Sequence, residues 1–440
     1  MFKTLRNAFK VKDIRDRLIF TLIALVIVRV GTLLPAPVIK SEITDKWFNT
    51  DAFSFVNSLT GGSFRKMSIF ALSITPYITA SIIIQLLTIA IPKLEELQKE
   101  GEDGRKKLNE ITRYLTVGLA VIESAAMAIG FGRMGYLDEF TFTNVMIVVA
   151  AFTAGSAFLM WVGERITVKG VGNGISIILT INIISRLPGD FVGLFQTYVI
   201  GSNSVVNAIV AILAIVALTV GCVVFVVLLQ AAQRKIPVTY AKKVVGRKTV
   251  GGQTSHIPLK VNTSGVIPVI FSNSLMSFPI VISQFWGIEP AREHFWPKVL
   301  MVLNQNSWFN IKSWGDFKYT LGVLVYIALT VFFAYFYTSI TFNPIEVSNN
   351  IKKQGGFIPG IRPGKPTTEY LQKVLNYVIF IGAIGLTIAA LIPIVFSGIF
   401  SANFSFGGTS LIIIVGVIVE TIKQIESQLL VRHYKGFLTE

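Results

Sequence analysis

The sequence predicts an all-α integral membrane protein with about ten transmembrane helices. Of its 440 residues, 52% are hydrophobic and only 15% are charged, and the mean hydropathy is +0.64. A soluble domain carries about 25% charged residues, so the composition already departs from that class. The long apolar runs along the chain give the stronger indication.

A bilayer core about 30 Å thick is crossed by roughly 20 apolar residues in a helix. Ten runs of suitable character follow one another along the chain. They lie at residues 18–34, 69–91, 114–131, 145–162, 175–187, 205–229, 266–285, 319–337, 374–395 and 411–425. The fifth run is short, so it requires either a tilt or a continuation past Pro188. The first run is too long for a signal peptide and is interpreted as a retained span.

The basic residues indicate the orientation of these spans. Of 40 Lys and Arg residues, 29 lie on the side that carries both termini, ten lie on the opposite side, and Arg29 lies within the first run. Positive residues concentrate in cytoplasmic connections, so both termini are predicted in the cytoplasm. Five spans in each half, residues 1–200 and 201–440, give the halves opposite orientations and predict an inverted repeat.

Two kinds of segment are more than simple turns between spans. Residues 52–67, before the second span, are apolar but too short to cross, so they form either a buried non-spanning segment or an ordered surface loop. Two long cytoplasmic loops, at about 231–260 and 343–373, are basic or rich in Gly and Pro. Loops of such length are often functional.

No catalytic chemistry is visible in the sequence. The three histidines lack metal-ligand spacing, and the glycine-rich run at 360–366 has Pro366 where a phosphate loop needs Ser or Thr. The single Cys222 excludes a disulfide within the chain. We therefore predict no enzyme activity, no cofactor and no metal, and a partner must supply any driving energy.

Seven segments, in order, carry a resemblance to a known family. They are ITPYITASIIIQLL (74–87), KEGEDGRKKLNEITRY (99–114), GERITVKGVGNGISI (163–177), RKIPVTYAKKVVGRK (234–248), HIPLKVNTSGVIPVIF (256–271), GGFIPGIRPGKPT (355–367) and FGGTSLIIIVGV (406–417). The chain resembles the SecY family, the channel subunits of the bacterial Sec protein translocon, along essentially its whole length.

This resemblance implies a central pore between the two five-helix halves, closed at its waist by an apolar ring. The ring positions that match are Ile74, Ile78, Leu179, Ile270 and Ile413. The family usually has isoleucine where this chain has Leu179, a change that keeps the residue apolar. Such a ring gates by excluding water.

The resemblance also implies a plug and a lateral gate. The plug would be a short helix within residues 52–67 that closes the outer funnel, and its assigned positions are Asn57, Leu59, Gly61, Gly62 and Phe64. The gate would lie between the second and seventh spans, where signal sequences and membrane helices leave sideways into lipid. Its assigned positions are Ser81, Gln85, Ser272, Asn273, Ser274 and Phe278.

The implied partners are the SecE and SecG-like small subunits, the SecA ATPase, the ribosome, signal-bearing polypeptides and membrane lipids. Arg247, Lys248, Arg362 and Lys365 in the two cytoplasmic loops match the docking positions. The expected location is the cytoplasmic membrane. The alternative is an ion-coupled secondary transporter, which needs ionisable groups at mid-membrane depth. The chain offers mainly Glu123, for which proton coupling and a hydrogen bond to a neighbouring helix are both open.

Overall fold

The computed structural model describes most of the chain. The described residues are 6, 8–40, 60–133, 135–201, 205–240, 243–245, 248–250, 254–285, 294–304, 308, 320–400 and 408–436. Helices account for most of them.

Thirteen helices are present among the described residues. They are α1 (Lys12–Gly31), α2 (Thr75–Ala90), α3 (Pro92–Lys99), α4 (Glu102–Arg133), α5 (Phe142–Lys169), α6 (Gly174–Phe195), α7 (Val205–Ala231), α8 (Ile267–Phe285), α9 (Phe295–Leu303), α10 (Leu321–Thr341), α11 (Pro344–Lys353), α12 (Lys365–Phe400) and α13 (Gly408–Gly436). Five strands lie on one side of the bundle. They are β1 (Gln233–Tyr240), β2 (Lys243–Val245), β3 (Lys248–Val250), β4 (Thr254–Lys260) and β5 (Gly356–Phe357).

Each of the ten apolar runs falls on a helix, namely α1, α2, α4 to α8, α10, α12 or α13. By length and composition, six helices of the described part can each cross a membrane, and the pair α2 and α3, bent by 102°, would make a seventh. The fifth run does continue past Pro188, because α6 extends to Phe195 and a π-helical turn follows at Gln196–Ile200. The structure therefore agrees with a polytopic helical fold.

The predicted start of the second span is wrong. The apolar run begins at residue 69, but α2 begins only at Thr75, and residues 60–74 form turns. Met67 and Ser73 adopt positive φ angles of 47° and 52°, which do not occur within a right-handed helix. The run is apolar because it is buried, not because it is helical.

The helices pack mainly against partners from the same half of the chain. In the first half, α4 packs against α2 and α5, and α5 also packs against α6. In the second half, α10 packs against α8 and α12, and α7 packs against α13. Between the halves, α6 packs against α13 and α4 packs against α8.

A small sheet joins the two long loops that were predicted to be cytoplasmic. Strand β1 is central in the order β4-β1-β5, and both pairings are antiparallel. Strands β1 and β4 belong to the first loop and β5 to the second. Buried Ile236, Val238 and Leu259 of the first loop pack with Ile351 and Ile358 of the second. The two loops therefore share one apolar core.

Candidate functional site

All five predicted waist residues lie in one apolar cluster at the centre of the bundle. Ile74, Leu179, Ile270 and Ile413 are buried in this cluster, and Ile78 is partly buried against it. The exposed fractions of the four buried residues are 0%, 5%, 6% and 1% respectively. The structure therefore brings these five side chains together within a larger apolar cluster, and we call the five the waist.

The waist is assembled from both halves of the chain. Ile74 precedes the first residue of α2, and Ile78 follows one turn later, with its backbone N–H donating to Ile74 O at 3.1 Å. Leu179 lies on α6, whereas Ile270 and Ile413 lie on α8 and α13. Four helices that are distant in sequence thus converge on one point.

Aromatic residues that sequence reasoning did not single out also line this cluster. Phe271 of α8 and Phe333 of α10 meet edge to face with ring centroids 5.4 Å apart, and both are buried. Phe70 joins them from the turn segment and stacks on Phe158 of α5 at 5.9 Å. Phe271 follows the waist residue Ile270 in the sequence. This adjacency is the only sequence feature that could have pointed to these aromatic residues.

The waist is chemically inert. Its five members are isoleucine or leucine, whose side chains carry no ionisable or polar group. Within the described ranges, no group of three His, Cys, Asp or Glu side chains is placed to hold a metal ion. An aliphatic constriction of this kind excludes water and adapts to a passing chain without binding it tightly.

The plug positions are only partly visible. Asn57 and Leu59 lie outside the described residues. Gly61 and Gly62 occupy a turn with φ angles of 65° and 85°, and Phe64 is 3% exposed. The part of the 52–67 segment that the structure describes, from residue 60 onwards, is therefore buried turn rather than surface loop or helix.

The gate positions lie on α2 and α8. Ser81 and Gln85 bond to each other within α2, through Gln85 Nε2 and Ser81 Oγ at 3.3 Å. Ser272 is buried and donates to Pro268 O at 2.8 Å, and its hydroxyl lies 3.2 Å from Thr330 Oγ1 of α10. Within the described part, α2 and α8 are not among the closely packed helix pairs. Their contact runs instead through the apolar cluster.

The other three gate positions differ in environment. Asn273 is fully buried, Ser274 is half-buried, and Phe278 is 62% exposed on the outer surface of α8. One face of this helix therefore contacts the bundle interior while another is open to lipid. A lateral exit requires this arrangement.

Glu123 does not make the predicted hydrogen bond to another helix. It is half-buried on α4 and, in the described part, has no hydrogen bond or ion pair. The adjacent Ser124 makes the interhelical contact instead, with Oγ 3.0 Å from Thr153 Oγ1 of α5. Among the residues that the structure describes, Glu123 forms no ion pair of the kind that a coupling-ion site would require.

The positions assigned to docking lie in the two long loops. Arg362 and Lys365 are exposed where the second loop enters α12, and Arg362 O accepts a bond from Thr367 Oγ1 at 2.9 Å. Lys248 lies in β3, which pairs with β2. Arg247 lies outside the described residues.

Comparison with known proteins agrees with this geometry. The sequence model of the SecY family matches residues 68–422. The protein translocase subunit SecY of Halalkalibacterium halodurans is 42% identical over 448 aligned positions, which cover 100% of both chains. A solved protein-conducting channel matches with a TM-score of 0.63 at 19% identity, over 94% of this chain and 92% of that chain. Sec61 in the canine ribosome–channel complex from the endoplasmic reticulum matches with a TM-score of 0.61 at 18% identity, over 94% and 92%.

The polytopic helical fold and the sequence match together define a membrane channel for polypeptides. The match over residues 68–422, together with full-length identity above 40%, shows the family. The chain belongs to the SecY family. Membership makes it a protein-conducting channel subunit, and the alternative of an ion-coupled solute transporter is not favoured.

Proposed function

We propose that secretory polypeptides cross the membrane in an unfolded state through the waist formed by Ile74, Ile78, Leu179, Ile270 and Ile413. The observation that carries this proposal is the convergence of these residues, from four helices of both halves, in one buried cluster. An aliphatic ring has no fixed hydrogen-bonding pattern, so it accommodates any sequence. The same ring keeps ions and water out when it is empty.

Lateral release of membrane helices would occur between α2 and α8. This proposal is supported by the limited packing between these helices in the described part and by the outward-facing Phe278. Separating α2 from α8 breaks mainly apolar contacts. An apolar signal helix or transmembrane segment replaces such contacts when it enters.

The chain has no visible energy source, so we assign the driving force to partners. The basic residues Arg247, Lys248, Arg362 and Lys365 would receive the ribosome or the SecA motor. The sheet that unites the two loops supports one docking surface, and the canine structural neighbour is a ribosome–channel complex. SecE and SecG-like subunits would complete the assembly, and the chain itself would not act as an enzyme.

We further propose that the chain resides in the cytoplasmic membrane with both termini in the cytoplasm. The charge asymmetry of its connections supports this orientation. The two halves, 1–200 and 201–440, would then be inverted repeats around the pore.

Site-specific photocrosslinking tests the pathway directly. A photoreactive residue at Ile78 or Ile270 is expected to crosslink to a secretory chain stalled in native membranes. Val216 on α7, which is 54% exposed and far from the waist cluster, provides the matched control and is expected to crosslink only to lipid. Translocation without crosslinks at Ile78 and Ile270 would show that the path lies elsewhere.

A further inference from the structure

The connection between α8 and α10 carries the short helix α9 at the end of the bundle opposite to the sheet. Strand β4 leads into α8, and α10 leads back into the loop that holds β5, so the connection between these two helices lies at the other end. With nine residues, Phe295–Leu303, α9 is too short to cross a bilayer, which takes about 20. Its sequence, FWPKVLMVL, is nevertheless almost entirely apolar. Such a helix requires an apolar environment other than the interior of a bilayer-spanning bundle.

The end of α9 is fixed to the first turn of α10. Trp308, which is fully buried, donates its indole N–H to Val302 O at 2.8 Å and packs against Tyr326 with ring centroids 5.8 Å apart. Gly322, in the first turn of α10, lies so close that a Cβ there would meet Val302 O and Trp308 Nε1. Leu300 of α9 is also fully buried. This end of the helix is therefore firmly packed on the bundle.

The start of α9 is bonded to the last turn of α8. The indole N–H of Trp296 donates to Ser283 Oγ at 2.9 Å. Ser283 is buried, and α8 ends shortly after it at Phe285. The helix, roughly 14 Å long, thus extends from the end of one span to the beginning of the next. Because the ends of spans lie at the boundary between hydrocarbon and headgroups, α9 lies at that depth.

The start of α9 also presents two aromatic side chains outward. Phe295 is 82% exposed, more than any other large apolar side chain that the structure describes, and Trp296 is 46% exposed although its N–H is bonded. Exposed His294 and half-buried Lys298 flank them. Amphipathic aromatic side chains concentrate at the interface between membrane and water, and lysine extends its ammonium group from there towards the headgroups. This combination of side chains fits the lipid headgroup region better than it fits water.

We propose that α9 is an interfacial anchor, in which Phe295 and Trp296 enter the lipid headgroup region and the bond from Trp296 to Ser283 holds the end of α8 at that depth. The occupant of the exposed face is phospholipid of the leaflet opposite to the sheet. This face continues the exposed apolar surface of the two spans, which includes Phe278 on α8 and Leu321 on α10. The interfacial anchor concerns lipid contact and does not depend on the proposed waist.

A depth measurement with spin labels tests the interfacial anchor. A nitroxide is attached to Phe295→Cys in a Cys222→Ala background, with the full-length chain in vesicles of phosphatidylcholine and phosphatidylglycerol. Collisions of the nitroxide with oxygen and with a water-soluble nickel complex report its depth. Phe357→Cys in β5 is the matched aqueous control, because it replaces another exposed phenylalanine. Val216→Cys on α7 is the reference for a site that faces lipid.

The Phe295→Cys label is expected roughly 5–10 Å into the boundary between headgroups and acyl chains. It should collide with oxygen more often than the Phe357→Cys label and with nickel more often than the Val216→Cys label. Equal collision ratios for Phe295→Cys and Phe357→Cys would place α9 in water and overturn the interfacial anchor. A Phe295→Cys label that neither reagent reaches would show that a protein covers this face, which would overturn lipid as its occupant.

Brominated lipids test the native side chain. Bromine quenches tryptophan fluorescence on contact, and the difference between the unmodified chain and Trp296→Phe isolates the contribution of Trp296 from that of the other tryptophans. Bromine near the headgroup is expected to quench this contribution more strongly than bromine near the end of the acyl chain, because the indole lies at the interface. Quenching by neither lipid, or stronger quenching by the deeper bromine, would refute the interfacial position.

The bond to Ser283 is tested by the mobility of the Phe295→Cys label. Ser283→Ala leaves the indole N–H of Trp296 without its partner on α8, so the label is expected to become more mobile. Trp296→Phe should have the same effect, and both changes together should add no more than the stronger one. Ser277→Ala, at an earlier and half-buried serine of α8, is the control. Unchanged mobility in Ser283→Ala, or an equal gain in Ser277→Ala, would refute this bond as the link between α8 and α9.

The outcomes also distinguish the interfacial anchor from the channel pathway. If Ile78 and Ile270 crosslink to a translocating chain while the Phe295→Cys label behaves like the Phe357→Cys label, the waist stands and the interfacial anchor is wrong. If these crosslinks fail while the label lies at the headgroup boundary, the waist assignment is wrong and the interfacial anchor stands.

Discussion

Replacement of Ile413 by asparagine tests the waist at the residue that α13 contributes to it. Ile413 is 1% exposed within the central cluster. An asparagine amide at this position would lie among the apolar side chains of this cluster, which offer its polar atoms no hydrogen bond in the closed state. An unsatisfied buried polar group costs about 1–3 kcal/mol. When the waist opens, the amide becomes hydrated and this penalty disappears.

The expected consequence is a shift of the closed–open equilibrium toward the open state. A difference of about 1–3 kcal/mol corresponds to roughly a 5- to 150-fold change in the ratio of the two states. Ion conductance in planar bilayers measures the leak of the empty channel. Export of a reporter with a defective signal sequence measures the relaxed stringency in cells.

The adjacent residue provides the control for this experiment. Ile412 is 0% exposed, but it belongs to a different apolar cluster, formed by α7, α8, α10, α12 and α13. Ile412→Asn introduces the same buried amide, so it is expected to lower stability without selectively raising conductance. Equal conductance in the two variants, normalised to the amount of folded chain, would refute the reasoning that the waist forms the seal.

Three further predictions concern other parts of the molecule. Arg362→Glu, at an exposed position proposed for docking, is expected to reduce ribosome- or motor-driven translocation by roughly tenfold or more while chain levels stay normal. Unchanged transport would contradict the docking role. Gly155→Ala places a Cβ against Ile69 O and is expected to lower the thermal unfolding temperature, whereas Gly118→Ala, with nothing within 4 Å, is not. Val238→Asp buries a carboxylate in the core shared by the two long loops and is expected to expose both loops to limited proteolysis; retained protection would argue against a common core.

The spans were predictable because the bilayer imposes a simple requirement of length and hydrophobicity. A helix is the only single segment that makes all of its backbone hydrogen bonds internally in lipid. Each long apolar run therefore indicates a helix. The same rule failed at residues 69–74, where burial by protein replaces burial by lipid. There the backbone of Ile69 is bonded to Leu34 O at 3.0 Å, and Ser73 adopts a left-handed conformation. Hydropathy does not distinguish these two kinds of burial.

The sheet that joins the two long loops was not predicted, although one signal was available. Ile236 and Val238 are buried in β1, two residues apart, as expected for a strand with one face on a core. The pairing of Thr239 with Phe357 joins the two loops across more than a hundred residues, and no local pattern indicates it. The buried position of the Arg29 guanidinium was equally inaccessible, because Gly61, which it lies against, is distant in sequence.

The packing pattern itself favours opening between α2 and α8 rather than elsewhere. The helices of each half pack closely within that half, so separation inside a half would break extensive contacts. Between the halves, α6 packs more extensively against α13 than α4 packs against α8, and α2 meets α8 through the waist cluster. We expect the α6–α13 contact to persist while the α2–α8 contact parts. A disulfide that joins α6 to α13 should then leave translocation intact, whereas one that joins α2 to α8 should abolish it, and the opposite result would exclude this mode of opening.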